Sequence, residues 1–464
     1  MALPTPVGKQ KEVLVLPAEG HFVVLGTAGS GKTTLAILRA AYLADPSTDH
    51  HGRTLLVTFN RALVAHLRHL QERELDDVTV ENYHTFARGY LHFRGKMARD
   101  GICDHTQRKA LIEEAVRRVA KGYKPHPFFE RHLELFSDEI QWIAQHGITT
   151  AECYETVERV GRAGARIERR LRKPMFTVYE EYRSLRQACG KDYDWDDLAT
   201  AVCKELDTDG GGRRYKHVVI DEGQDFSPEM IRSLAKAVPA DGSVTFFGDV
   251  AQQIYGPRTS WRSAGLNITS VWEFKDNFRN TKQIARLALA ISRTPYFRDV
   301  PDIVEPRSPA ADGPLPTVVT CSSIEDEVGL AVSQAENASK TLTVAILLRK
   351  REDERLFTRL LPNSAVRLHR DLTTWQAGPG IWYGTYHAAK GLEFDTVILP
   401  FCSSKRLPDP EETEALGEDE ATIRDGRLLY VGVTRAKTRL IITYTGETSH
   451  LLPDNAQLYE RVDL

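Results

Sequence analysis

The stretch Gly26-Thr27-Ala28-Gly29-Ser30-Gly31-Lys32-Thr33 places the tightest constraint on this chain. It satisfies G-x-x-x-x-G-K-[ST], and its surroundings suit that pattern. The apolar run His21-Phe22-Val23-Val24-Leu25 predicts a buried strand before it, and Thr34 to Arg39 continues with helical spacing. Glycines let the backbone curl so that several N–H groups converge on phosphate oxygens, and the positive end of the following helix adds to the field. Lys32 would then reach the β- and γ-phosphates of a nucleotide, and the Thr33 hydroxyl would hold magnesium. The bland alternative is a glycine-rich turn that merely joins strand to helix.

Downstream residues complete a phosphate chemistry. Val218-Val219-Ile220-Asp221-Glu222 is an apolar strand ending in two carboxylates. In a P-loop enzyme the first supports the magnesium shell, and the second orients or deprotonates the attacking water. Gly248 to Tyr255 follows another strand, and a glutamine there (the stretch holds Gln252-Gln253) can sense a γ-phosphate or position water. A polar loop at a strand end is the alternative. Arg279 and Arg435 offer delocalised positive charge, worth about 10³–10⁵ in the rate of phosphoryl transfer. Taken singly, each is more simply a surface ion pair.

Bulk properties narrow the class. At 464 residues the chain exceeds one ordinary core, so two or three domains are expected. A net charge of −3 gives no global basic field, so polyanion binding must come from local patches. The six cysteines are scattered without a C-x-x-C pair and read as buried thiols of a reducing compartment. No apolar run reaches membrane-spanning length and no secretory pattern opens the chain. These features predict a cytoplasmic protein with no membrane partner.

Along the chain, strands at Thr54 to Phe59 and Val78 to Val80, with a helix over Leu63 to Leu70, continue a strand–helix alternation. That alternation predicts a doubly wound α/β core. From Arg88 to Leu206 the period is helical, which predicts an all-helical insertion. Thr149 with Glu152 suggests a capping box, and Ser137 to Glu139 and Asp194 to Asp197 sit where helices would begin. Arg159, Arg162, Arg166, Arg169, Arg170 and Lys173 form one basic helical face, either solvated or a phosphate-contacting ridge. Strands are expected again at Lys216 to Ile220 and Val244 to Phe247. A further α/β segment begins near Asp276, with strands at Thr343–Leu348, Ile381–Thr385, Thr396–Pro400 and Leu440–Tyr444. Val300 to Pro316 reads as a Pro-rich surface link, and the acidic stretch Asp409 to Asp425 as an exposed loop.

These motifs, in this order, resemble those of superfamily 1A DNA helicases of the UvrD/Rep/PcrA kind over nearly the whole chain. Gln10 resembles the adenine-reading glutamine before the P-loop. Gly26 to Thr34, with Gly29, Gly31 and Thr34, resembles motif I. Thr58 to Ala62 is similar to motif Ia, and Asn82-Tyr83-His84 to the element after it. Asp194 to Leu198 resembles the acidic–aromatic box before motif II, and Asp221 to Asp225 motif II itself. Gly248 to Tyr255 resembles motif III and Asn277-Phe278-Arg279 motif IV, with Ala345 to Arg349 its companion strand. Thr385 to Phe394 matches motif V, and Tyr430 to Ala436 motif VI.

The resemblance implies two RecA-like P-loop domains with ATP between them: parallel sheets with flanking helices, plus a helical 1B insertion. It divides the chain into domain 1A (1–87 and 207–275), 1B (88–206) and 2A (276–464). Arg279 and Arg435 would come from the second domain, Phe278 would stack on adenine and Glu393 would contact the ribose. Phe59, His84, Tyr255 and His387 would lie near single-stranded DNA, where aromatic stacking is worth ~1–3 kcal/mol per base; a plain packing role is the alternative for each. Two departures stand out. Gly256-Pro257-Arg258 replaces the usual Gly-Trp-Arg, with Trp261 a substitute stacking residue. About thirty-five residues separate Arg349 from Thr385, so the large helical 2B insertion is essentially absent. The chain also stops soon after motif VI, which leaves no room for an appended nuclease.

The implied activity is ATP-driven 3′→5′ translocation on single-stranded DNA with strand separation at single-strand/duplex junctions. The competing reading is a DNA-sensing regulatory ATPase that controls a partner nuclease, as in anti-phage complexes. An RNA helicase or generic P-loop ATPase is the third.

Overall fold

The computed structural model describes the chain apart from residues 1–4, 7, 28, 60–62, 66–76, 158–166, 211–213, 250–260, 275–279, 295–310, 370–371, 373–374 and 376–377. Gln252, Tyr255, Phe278 and Arg279 lie outside the described residues, as do Arg159, Arg162, Arg166 and most of the expected Leu63–Leu70 helix.

Two parallel sheets with flanking helices form the frame. The first contains β1 (Gly20–Gly26), β2 (Thr54–Thr58), β3 (Val78–Asn82), β4 (His217–Ile220), β5 (Ser243–Asp249) and β6 (Ile268–Phe274), in the order β3-β2-β4-β5-β1-β6. The second contains β7 (Thr317–Cys321), β8 (Thr343–Leu348), β9 (Val366–Arg367), β10 (Gly380–Thr385), β11 (Phe394–Leu399), β12 (Ala436–Thr445) and β13 (Glu460–Asp463), in the order β13-β7-β12-β11-β8-β10-β9. Parallel sheets are covered on both faces, so their strands read as unbroken apolar runs. Val23, Val24, Leu55, Leu56, Val218 and Val219 are all fully buried, and so are Ile346, Leu347, Val397 and Ile398. This is the architecture of two RecA-like domains.

Between β3 and β4 the described residues are helical, with a single isolated bridge between Ile102 and Tyr193. These helices pack a core of their own around Phe136, Ile143, Phe176 and Tyr182. Two expected helix starts move. Thr150, not Thr149, caps the helix Ala151–Thr156, because its hydroxyl accepts from Cys153 N at 3.3 Å. Ser137 to Glu139 lie inside the helix Leu133–Gln145. Their polarity serves tertiary partners: Ser137 accepts from Arg108, Asp138 pairs with Arg424, and Glu139 accepts from Tyr154. The helix Leu198–Thr208 does begin directly after Asp197.

The acidic stretch is not a loop. It folds into the helices Pro410–Leu416 and Glu418–Thr434, the first capped by Asp409 accepting from Glu411 N at 3.0 Å. Arg349 and Lys350 neutralise it: Arg349 lies 2.5 Å from Asp425 and 2.7 Å from Glu412, and Lys350 2.9 Å from Asp409. Ion pairing from the end of β8 therefore buries carboxylates that composition alone would leave in water.

Candidate functional site

In open parallel sheets, ligands bind beyond the carboxyl ends of the strands. β1 runs straight into the glycine-rich loop, and Gly26 stands opposite Asp249 at the end of β5. Gly29 and Gly31 hold φ of 81° and 82°, left-handed values that let the loop curl before the helix Lys32–Ala44. Gln10, on the helix Lys9–Leu14, donates to Ser30 O at 3.2 Å and so lies against the loop. Thr33 and Thr34 occupy the first turn of the Lys32–Ala44 helix, both half-buried.

Lys32 points into its own loop. Its ammonium donates to Gly26 O at 2.9 Å and Thr27 O at 2.7 Å, with Asp249 at 3.7 Å. The Thr27 and Ser30 hydroxyls are buried without hydrogen-bond partners. So are both carboxylate oxygens of Asp221. Burial, and then the adjacent Glu222 charge, raise the Asp221 pKa, against the smaller opposing pull of the facing Thr33 hydroxyl. A buried carboxylate with two open oxygens opposite a hydroxyl is a hard-oxygen donor set, which fits magnesium.

Glu222 takes φ 52° and ψ 42°, a left-handed conformation that is costly for a side chain with a Cβ. Its neighbours fix it there. Gln224 donates to Glu222 and accepts from Asp249 N at 2.9 Å, which ties the ends of β4 and β5 together. Gly223 leaves no room for anything larger, since a Cβ would lie 2.2 Å from the Phe246 ring.

The second sheet brings its own residues to this place. Lys390, after β10, lies 2.5 Å from Asp225. Gly391 passes so near Leu63 that a Cβ would stand 2.5 Å from its side chain. Arg435 caps the helix Glu418–Thr434 and is buried, donating to Val431 O at 3.1 Å and Leu392 O at 3.3 Å. Its charge reaches Asp225: burial raises that carboxyl's pKa, while Lys390 and, less strongly, Arg435 lower it. Glu393 is exposed and 3.2 Å from Lys437. Thus the two sheets meet at Asp225, three residues after Glu222, which Lys390 contacts and the Arg435 charge reaches.

A set of aromatic rings occupies the strand ends next to this site. Phe59 follows β2 and remains 39% exposed. His84 follows β3 in the first turn of the helix Tyr83–Phe93, which Asn82 caps. The His84 ring lies 5.7 Å from Phe59 and 5.1 Å from Trp195, both edge-on. Phe226 supports Phe59 from below at 6.2 Å. His387, after β10, is exposed to solvent, although the surrounding protein and then the Lys390 and Arg349 charges keep its pKa low and the ring neutral. Trp261 stands apart from this group, half-buried against Phe246 at 5.0 Å.

Sequence reasoning missed several contributors. Arg39 is fully buried and donates to Leu14 O, Leu16 O and Pro17 O at 3.0, 2.7 and 2.6 Å. It thereby anchors the segment that carries Gln10. The available signal was a cation midway along the apolar stripe Leu35–Arg39–Leu43. Lys390 and Asp225 stand within recognised motifs, and Phe226 directly after one, but the sequence gives no sign of their partners.

Comparison with known proteins agrees with the geometry. Residues 7–278 match the UvrD/REP helicase N-terminal domain, and residues 368–447 the UvrD-like helicase C-terminal domain. A probable DNA helicase of Mycoplasma pneumoniae is 23% identical, the match covering 94% of this chain and 83% of that protein. DNA helicase IV of Escherichia coli is 22% identical, covering 96% and 69%. ATP-dependent DNA helicase UvrD2 of Mycobacterium tuberculosis is 24% identical, covering 94% and 78%. With more than half of its length matched by the first of these domains, and the second matched in order behind it, the chain belongs to the UvrD/REP helicase family.

Proposed function

We propose that this chain is an ATP-driven motor on single-stranded DNA, moving 3′→5′ and separating strands at single-strand/duplex junctions. The observation that carries the reading is Asp221, buried with both oxygens open and facing Thr33 beside the P-loop. Thr33 and Asp221 would hold magnesium, which supplies positive charge to phosphate oxygens. Lys32 leaves its two carbonyls for the β- and γ-phosphates. Glu222 orients a water and takes its proton as the water oxygen bonds to the γ-phosphorus and the bond to the β-phosphate oxygen breaks, releasing ADP and phosphate. Arg435, with Arg279 by resemblance, stabilises the charge that builds on the transferring group, and Gln252 senses that group. Gln10 and Phe278 hold the adenine, and Glu393 the ribose.

The domain division follows: 1A over 1–87 and 207–275, 1B over 88–206, 2A over 276–464. The γ-phosphate bridges 1A and 2A, and hydrolysis releases them. DNA runs across Phe59, His84 and His387, with Tyr255 by resemblance. Trp261 packs against Phe246 and is the substitute stacking residue by resemblance. Opening DNA opposes stacking of about 1.4 kcal/mol per base-pair step, so net opening requires coupled hydrolysis.

A second reading, a DNA-sensing ATPase that regulates a nuclease, is favoured by the short connection between β8 and β10. That connection contains only a two-residue strand, a three-residue 3₁₀ turn and the four-residue helix Glu354–Phe357 among the described residues, in place of a duplex-binding domain. Strand displacement from 3′-tailed and 5′-tailed partial duplexes separates the two, with Lys32→Ala as control. Displacement from the 3′ tail alone supports the motor. DNA-stimulated hydrolysis without displacement supports the regulator, and displacement that survives Lys32→Ala excludes the mechanism.

A further inference from the structure

The helix Glu418–Thr434 leads into Arg435 and also carries Arg424. The two arginines are 435 − 424 = 11 residues apart, close to three helical turns, so they leave the same side of one helix. Arg424 contacts an acid from the other half of the molecule, and the charge of Arg435 reaches another. Arg435 acts on Asp225 after β4, and Arg424 Nη2 lies 2.6 Å from Asp138 in the helix Leu133–Gln145. The neighbouring helix Pro410–Leu416 packs against the same Leu133–Gln145 helix. The Arg424–Asp138 pair is largely shielded, with side chains 31% and 18% exposed, and Glu420 at 3.3 Å steadies the guanidinium.

Asp138 sits on a rigid support. Ser137, beside it, accepts from Arg108 Nη1 at 2.5 Å, and Arg108 Nε lies 2.7 Å from Asp194. Asp194 adjoins Trp195, whose ring touches His84, and His84 touches Phe59. The aromatic strand-end face is thus linked to the Leu133–Gln145 helix through Asp194 and Arg108, and the helix that presents Arg435 reaches the same helix through Arg424.

We propose that Arg424 is a positioning residue for hydrolysis. Its bond to Asp138 sets how closely the Glu418–Thr434 helix presents Arg435 to the P-loop, and links that approach to a strand bound at Phe59 and His84. The inference rests on the reading of this chain as a DNA-stimulated ATPase. Without the bond, the helix keeps its fold and its bound nucleotide but loses the fixed distance that stabilises transition-state charge. The effect therefore falls on kcat and leaves KM for ATP nearly unchanged.

Steady-state ATP hydrolysis with a thymidylate oligonucleotide tests this in the full chain, comparing wild type, Arg424→Ala, Asp138→Ala and the charge-swapped D138R/R424D. Each single change is expected to lower DNA-stimulated kcat about tenfold with KM for ATP within about twofold, and the swap to recover at least half of the loss on a logarithmic scale. Melting curves accompany each variant. Where Arg424→Ala does not fold, Arg424→Lys replaces it and is expected to lose about threefold. Wild-type kcat in either single variant, a rise in kcat, or a swap no better than the singles overturns the proposal. A wild type that hydrolyses no ATP with DNA overturns instead the reading beneath it.

Discussion

The Lys390 ammonium lies 2.5 Å from the Asp225 carboxylate, so a residue following β10 in one sheet neutralises an acid following β4 in the other. Both side chains are shielded, 14% and 5% exposed, and burial raises the Asp225 pKa against the pull of Lys390. Removing one partner of such a pair costs about 3–5 kcal/mol, because the other charge is left buried. Lys390→Met is expected to lower the urea midpoint accordingly, and adding Asp225→Asn to restore much of the loss. Equal midpoints for the single and double variants would show that the pair is not the source.

Gly223→Ala is expected to damage the site through sterics. Its Cβ would fall 2.2–2.7 Å from three atoms of the Phe246 ring, so either that ring or the Glu222 turn must move. Overpacking of this kind costs about 1–3 kcal/mol. The melting temperature should drop by a few degrees while ATP hydrolysis falls by about a hundredfold or more, because Glu222 no longer faces the phosphate.

Arg39→Met should be felt at the nucleotide base. The substitution retains bulk but strips three carbonyls between Leu14 and Pro17 of their donor, and so loosens the helix that carries Gln10. The expected outcome is a rise in KM for ATP with little change for GTP, read from hydrolysis assays with each nucleotide. Loss of preference without loss of turnover distinguishes this from general unfolding.

Acidification should destabilise the first sheet through His217. Its ring bonds Ser243 Oγ at 2.9 Å and His50 O at 3.0 Å, and burial pushes its pKa down to about 4. The folded value lies below the ordinary value near 6.5, so the unfolded chain binds the extra proton first. This contribution is fully present above about pH 6.5 and is lost as pH falls towards 4, amounting to at most about 3 kcal/mol. Urea midpoints for wild type and His217→Gln at pH 7.5, 6 and 5 should converge on acidification. Parallel curves would remove His217 from the account.

Asp221→Asn should abolish hydrolysis yet raise stability by about 1–2 kcal/mol, since it removes a fully buried charge beside Glu222. Chelation of divalent ions should likewise stop turnover in the wild type, with no change in melting temperature in the absence of nucleotide.

The sequence was most informative where chemistry is local. A strand, a glycine turn and a helix in succession reveal the P-loop because all its groups lie within fifteen residues. The apolar runs of β1, β2, β4, β5, β8, β11 and β12 are equally plain, since strands buried on both faces need no alternation. The edge strands β6 and β13, the two-residue β9 and the interior strand β7 were not anticipated: short or half-covered strands leave weak patterns, and β7 begins directly after the Pro-rich stretch read as a link. The acidic helices after Asp409 were misread as a loop, because their neutralising partners, Arg349 and Lys350, come from another strand. Arg39, Trp195 and Arg424 share that difficulty: each acts through a residue or carbonyl that only folding brings near.

The inward bonds of Lys32 bear on how quickly the proposed motor cycles. Its ammonium is held by two carbonyl acceptors of its own loop, with a carboxylate nearby. Arriving nucleotide must compete with those acceptors, and departing product hands the ammonium back to them. On the proposed reading, grip is thereby traded for turnover.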